Sequence, residues 1–220
     1  MIKKLVVMAA VMFLSACVME GNRTIETKTT KAMQTRSAYK GPKAYVAIGK
    51  FNNSSGYMKG VFSDGVDRVG SKAETVLTAY LQQTGRFAVL DRTNISHMQQ
   101  ERGFDNQRTN IKGAKFVITG DVTEFGRRTT GDKELFGILG KGKKQIAYSK
   151  VTINAVDTTT SEVVYSAAGA GEYTLSEREI LGFGSKASYD ETLTAKVLDL
   201  AIREAVDNLT VGIDSGYWQP

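Results

Sequence analysis

The sequence predicts an α/β domain, a single mixed sheet flanked by helices with two β-hairpin insertions in its strand region. Two observations carry this. Short apolar runs alternate with segments in which apolar residues recur at three and four, the pattern of strands interleaved with amphipathic helices. The chain also has only two prolines among 220 residues, Pro42 and Pro220, so long regular elements are permitted between them.

Ahead of this domain, Lys3 and Lys4 precede an apolar stretch from Leu5 to Leu14, and Leu14-Ser15-Ala16-Cys17 closes it. This is the layout of a secretory signal peptide over residues 1–16. The apolar run is about ten residues, against the roughly 20 that a spanning helix needs. A cysteine directly after Ser-Ala resembles the bacterial lipoprotein signal, in which that cysteine is acylated and becomes the mature N-terminus. An ordinary signal peptide with a chance cysteine and an N-terminal anchor are the alternatives. Val18 and Met19 follow, with no Asp; by resemblance to the bacterial sorting rule this points to the outer membrane. The domain would then be lipid-anchored in the periplasm. Cys17 is the only cysteine, so with it lipidated no disulfide, thiolate metal site or Cys nucleophile is available, and packing alone must hold the fold.

Residues 17–42 are rich in Thr, Lys, Arg, Glu and Ser and read as a flexible tether. The domain occupies 43–220. Ala44 to Gly49 is a first strand, and a glycine-punctuated loop follows from Asn52 to Gly65. Val66, Val69, Ala73, Val76, Leu77, Tyr80 and Leu81 form one apolar helix face, with Gly85 beyond its end. Phe87–Leu90 is a second strand. Thr93 or Asn94 caps a short helix to about Arg102, and Phe116–Gly120 is a third strand. A Gly- and Lys-rich insertion over about 126–150 interrupts the pattern. Val151–Asp157, a turn at Thr158–Ser161 and Glu162–Ala167 read as a hairpin. Leu193, Val197, Leu200, Ala201, Ala205 and Leu209 define a closing helix.

The formal net charge of +6 is mild and locally clustered, and no nucleic-acid partner is expected. His97 is the sole histidine, so no second imidazole helps to hold a metal. Gly140-Lys141-Gly142-Lys143-Lys144 lacks phosphate-loop spacing. No catalytic constellation, cofactor or metal is expected, and the protein is not read as an enzyme.

The elements in this order resemble the CsgG/HfaB family of outer-membrane lipoproteins, whose best-known member secretes curli subunits. The residues carrying the resemblance are Tyr45 to Gly85, Arg86–Arg92, Asn94–Arg102, Gly113–Gly120, Val156–Val163 and Gly212–Trp218. The resemblance implies a homo-oligomeric ring in which each protomer gives two β-hairpins to one transmembrane barrel. Partners would be outer-membrane lipid, further copies of the chain, an exported polypeptide and accessory lipoproteins. The hairpins would be the segments at about 126–150 and 163–189. A spanning strand takes about 9–11 residues with alternate side chains toward lipid. In the second segment Val163, Tyr165, Ala167, Tyr173 and Leu175, then Leu181, Phe183 and Tyr189, share an apolar face and are the candidate lipid-facing residues; Ser166, Glu172 and Thr174 lie opposite. The first segment is crowded with charge, from Arg127 and Arg128 to Lys150, and is either a membrane hairpin or a solvated surface hairpin or partly disordered loop.

The resemblance also implies a constriction in the loop after the first strand. Asn53, Tyr57 and Phe62 are its candidates, though the aromatic residues fit equally well tucked against the core. The competing reading is a monomeric periplasmic lipoprotein that regulates an envelope partner, similar to the LpoB-type activators of peptidoglycan synthases. It needs no dyad-patterned 163–189 segment.

Replacing Cys17 with Ala should convert the protein from an outer-membrane form to a soluble or misprocessed periplasmic one. Sucrose-gradient fractionation reads this, and unchanged membrane fractionation of the variant would refute acylation at Cys17.

Overall fold

The computed structural model describes residues 39–56, 67–104, 110–131, 143–175 and 186–220. The chain divides into two units, Met1–Ser37 and Ala38–Pro220, and every described residue lies in the second. The strands are β1 (Ala44–Asn53), β2 (Phe87–Leu90), β3 (Phe116–Gly131), β4 (Lys143–Asp157) and β5 (Val163–Leu175). The helices are α1 (Arg68–Gln83), α2 (Ile95–Phe104) and α3 (Lys186–Asp214). The strands form one five-stranded sheet in the order β2-β1-β3-β4-β5. β1 pairs in parallel with β2 and β3, while β3–β4 and β4–β5 are antiparallel. The sheet is therefore mixed, as the sequence pattern predicts.

α1 and α3 pack side by side on one face, α1 over β1 and β2, α3 over β4 and β5. The core lies beneath them. Val46, Ile118, Val122, Val151, Ile153 and Ala155 from the strands meet Ala73, Leu77 and Leu81 of α1 and Val197, Ala201, Ala205 and Leu209 of α3, all fully buried. α1 forms here because its apolar residues recur on one stripe and because the Asp67 side chain caps its first turn by accepting from Gly70 N at 2.8 Å. At its other end Gly85 takes φ +71°, a left-handed conformation that costs glycine nothing. α2 has no buried residue, and His97 stands on it exposed.

The first insertion does not interrupt the strands. β3 runs past Gly120 to Gly131, β4 begins at Lys143, and their register is unbroken from Glu124↔Lys150 to Gly131↔Lys143. The two strands thus form arms of one long hairpin. A bulge between Val122 and Glu124 lies at the base of these arms. Residues 132–142, with the apolar Leu135–Leu139 run, lie outside the described residues.

The second insertion differs from expectation. β5 ends at Leu175, and the chain from Lys186 onward is helical, so Ala187 and Tyr189 are not in a returning strand. The physical reason is in the spacing. Tyr189, Leu193 and Val197 recur at four, a longer series than the two-residue alternation that reached Tyr189. Leu181 and Phe183 fall outside the described residues.

The β4–β5 turn is held by Asp157, whose carboxylate accepts from Thr160 N at 3.0 Å and Thr159 N at 2.7 Å. These donors hold its pKa below the ordinary carboxylate value, the Thr160 N–H foremost. A depressed folded pKa contributes stability above the unfolded value, and that contribution is lost as pH falls through the folded one.

β5 and α3 approach unusually closely. A Cβ on Gly169 would overlap Ala201 O and Ala205 N, and one on Gly171 would overlap Val197 O. Gly169→Ala should therefore push the α3 backbone away and cost about 1–3 kcal/mol. Ala168→Ser, on the exposed face of the same strand, should stay within about 0.5 kcal/mol of the wild type. Urea unfolding followed by far-UV circular dichroism compares the two.

Candidate functional site

The C-terminal end of β1 is where the sequence analysis places a pore-narrowing loop. The loop's two roots are tied together by one carboxylate. Asp67 Oδ2 accepts from Asn53 N at 2.8 Å, while Oδ1 accepts from Gly70 N at 2.8 Å. The exit of β1 and the entry of α1 are thereby joined. Gly70 permits the approach, since a Cβ there would collide with Phe51 O and the Asp67 carboxylate. A second carboxylate, Asp121 on β3, accepts from Ser54 N at 2.9 Å and from Ser54 Oγ. Ser54 N and Ser55 N also approach Val122 O at 3.1 and 3.0 Å. Asn53 turns its Oδ1 to Ser55, accepting from N at 3.1 Å and Oγ at 2.5 Å.

Of the three expected constriction residues, the structure therefore makes Asn53 an anchor of the loop root. Tyr57 and Phe62 lie outside the described residues. Asp67 and Asp121 were missed. For Asp67 the signal was present, an Asp just ahead of an apolar-periodic run. Nothing in sequence could have brought Asp121 to Ser54.

Beside this root the hairpin arms and the upper part of β5 share one charged face. Glu124, Arg128, Tyr148, Lys150 and Glu172 are placed there together by the strand register. Lys150 Nζ lies 2.8 Å from Glu124 Oε1, and Arg128 Nη2 lies 2.8 Å from Glu172 Oε2. Arg128 also sits 6.0 Å from the Tyr148 ring centroid. Further down, Ser166 Oγ donates to Asn154 Oδ1 at 2.6 Å. Of the charges that crowd the first insertion in sequence, Arg128 and Lys150 join Glu124 on the face turned away from α1 and α3, while Arg127 lies on the other face.

The apolar face of β5 is not free for lipid. Ala167 is 5% exposed, and Gly169 and Gly171 lie against the α3 backbone. Tyr165 stacks on Trp218 at 6.1 Å and Tyr217 at 6.5 Å. The Tyr173 ring lies 4.4 Å from Lys196 Nζ, and its hydroxyl accepts from that group at 3.1 Å. Val163 is exposed, but at the opposite end of the sheet from the arms, paired with Val156. Leu175 pairs with Gln145 at the arm end of the strand. The alternation along β5 is real; its apolar side faces a helix of the same chain.

Among the described residues no group of three or more His, Cys, Asp or Glu is placed to hold a metal ion, and no helix is long and apolar enough to cross a membrane. The geometry defines an α/β scaffold that presents a charged three-stranded surface and a fixed loop root at one end of its sheet.

The chain belongs to the CsgG family. The family model described as curli production assembly/transport component CsgG matches residues 26–220. A protein of Neisseria meningitidis serogroup B, named as lipoprotein NMB1126/NMB1164, is 54% identical over 215 residues, covering 98% of this chain and 96% of its own. Among solved structures, the chain is similar to the PelC dodecamer from Paraburkholderia phytofirmans, at 17% identity over 76% of this chain and 88% of that one, with a TM-score of 0.39. It is also similar to lipoprotein GNA1162 from Neisseria meningitidis, at 16% identity over 68% of this chain and 97% of that one, with a TM-score of 0.37.

Asp67→Ala should cost about 0.5–2 kcal/mol, the range for a lost helix N-cap. Asp67→Asn keeps one acceptor oxygen and should cost less. Urea denaturation ranks the variants, and equal stability of Asp67→Ala and wild type would show that the carboxylate does not hold the loop root.

Proposed function

We propose that the protein is an outer-membrane lipoprotein, anchored through acylated Cys17, whose copies assemble into a ring-shaped channel for export of an unfolded polypeptide. The observation that carries this reading is the charged face shared by β3, β4 and β5 at the arm end, in a chain of the CsgG family. A ring of such arms with that face inward has a polar lumen, as β-barrel pores do. The cross-strand pairs Glu124–Lys150 and Arg128–Glu172 keep the lumen wall ordered without exposing an unpaired charge to hydrocarbon. The lipid-crossing part is assigned to the Gly131/Lys143 end of the hairpin, because the apolar face of β5 is taken up by α3. The Asp67 clamp fixes the root of the narrowing loop. The reading assigns no chemistry, only passage, so the protein is proposed not to be an enzyme. Lipid, further copies, the exported chain and accessory lipoproteins are the partners.

One observation favours the competing reading of a monomeric regulator of an envelope partner. The apolar face of β5 is satisfied by α3 within one chain, so the domain folds without needing neighbours.

Glu172→Lys separates the two. Full-length protein in detergent should run as a large homo-oligomer and conduct in planar bilayers. The variant should fold with a loss below about 1 kcal/mol, since the Arg128 pair is exposed. Its reversal potential in a salt gradient should shift toward anion preference. A monomer without conductance would replace the channel with the regulator.

A further inference from the structure

We infer that Asp121 is a positioning residue that turns the chain leaving β1 onto the charged face of the sheet, and so sets the width of the passage. The inference rests on the channel reading. The chain leaves β1 through Asn53, Ser54 and Ser55, and two carboxylates grip it there from opposite sides of the sheet. Asp67 belongs to the helix side. It caps α1, which packs over β1, and its Oδ2 accepts from Asn53 N at 2.8 Å. Asp121 belongs to the other side. Strand side chains alternate between faces, and Val122, next along β3, is fully buried in the core, so Asp121 points away from the helices. Its register partner Thr152 sits likewise between the fully buried Val151 and Ile153. Thr152 and Lys150 share a face of β4, which places Asp121 on the face that carries Lys150 and its partner Glu124.

From that face Asp121 Oδ1 accepts from Ser54 N at 2.9 Å and Oδ2 accepts from Ser54 Oγ. Ser54 N and Ser55 N also approach Val122 O, at 3.1 and 3.0 Å. These two contacts have a different effect. A β3 carbonyl lies in the plane of the sheet and continues the β1–β3 ladder. It fixes how far along β3 the chain lies, but not the face to which the chain turns. A side chain standing off the sheet selects a face. Asp67 draws Asn53 to the helix side, and Asp121 draws Ser54 to the charged side. Asn53 Oδ1 then accepts from Ser55 N at 3.1 Å, an Asx turn that leaves Ser55 buried. An ionised carboxylate makes hydrogen bonds about twice as strong as neutral ones, so the later grip sets the direction of exit. In a ring with the charged face inward, the side that Asp121 selects is the lumen. Without that grip the root keeps its place along β3 and loses its direction into the passage.

The test uses the full-length protein with Asp121→Ala, Asp121→Asn, Ser54→Ala and the control Thr119→Ala, which lies on the same face of β3. Each is sized in detergent and checked by circular dichroism. Hydrogen exchange read by mass spectrometry follows the amides of residues 52–56, and planar bilayers give single-channel conductance. Asp121→Ala should speed exchange there at least about tenfold. Its conductance should rise at least about twofold, as for a wider pore. Asp121→Asn loses the same charge but keeps the shape, with an oxygen to accept from Ser54 N and an amide that the Ser54 hydroxyl can accept from. It should stay closer to wild type in both measurements. Ser54→Ala added to Asp121→Ala should change nothing further, and Thr119→Ala should match wild type. If Asp121→Ala does not fold, Ser54→Ala is read alone, with the same direction expected in both measurements. Equal conductance changes in the Asn and Ala variants would assign the effect to lost charge and overturn the inference. Unchanged exchange in Asp121→Ala would show that Val122 O suffices and would overturn it too. Faster exchange in Asp121→Ala, with a wild type that does not conduct, fails the channel reading and leaves the face selection standing. A conducting wild type matched in conductance by Asp121→Ala fails only this inference.

Discussion

The rest of the domain depends on how closely the α3 backbone lies against β5. Small residues on both sides make this possible: Ala167, Gly169 and Gly171 on the strand, Ala201 and Ala205 on the helix. Close packing lets polar side chains of α3 reach the outer edge of the sheet. Glu204 Oε2 accepts from Ala170 N at 2.8 Å, and Asn208 Nδ2 donates to Ala168 O at 2.8 Å. β5 is an edge strand, and an uncovered edge recruits other strands indiscriminately. The helix thus caps part of the edge that its own packing brings it beside. Beyond α3 the chain turns back on the sheet. Trp218 is buried against Phe116, Phe87 and Tyr165, with Nε1 donating to Leu209 O at 3.3 Å, and Arg86 reaches Asp214 at 2.5 Å.

Fixing α3 on one face decides the character of the other. Apart from Arg127, which shares the side of Phe125 and Ala147, residues turned toward the helices are mostly apolar or small; those turned away along the arms carry Glu124, Arg128, Lys150 and Glu172. β3 links this surface to the loop root, because Asp121 holds Ser54 only a few residues before the arm begins. A displacement of β3 would therefore be felt at both places. Paired exposed charges contribute little to stability individually. Their value lies in keeping four ionised groups ordered on one surface.

Much of the fold was legible because its signals are local. β2 falls on Phe87–Leu90 as the apolar run predicts, and α1 follows its stripe within two residues at its start. The arms were legible as a hairpin only through the family resemblance, not from local pattern. Gly126, Arg127 and Arg128 have the composition of a loop, and what makes them a strand is pairing with Ile146 to Tyr148, which no local pattern announces. β5 shows the opposite failure. Its period of two was right, yet alternation reports only that a strand has two unlike faces. Whether the apolar one meets lipid or a helix is decided by residues some 30 positions away, and glycines at 169 and 171 were the sign that a backbone comes close.

A chain that buries its β5 face internally completes its core without a neighbouring copy. The surfaces not used by the core are the charged arm face, the free part of the β5 edge and the exposed α2. These lie toward different ends of strands that run the length of the domain. Arms and loop root belong to one end, the β4–β5 turn held by Asp157 to the other.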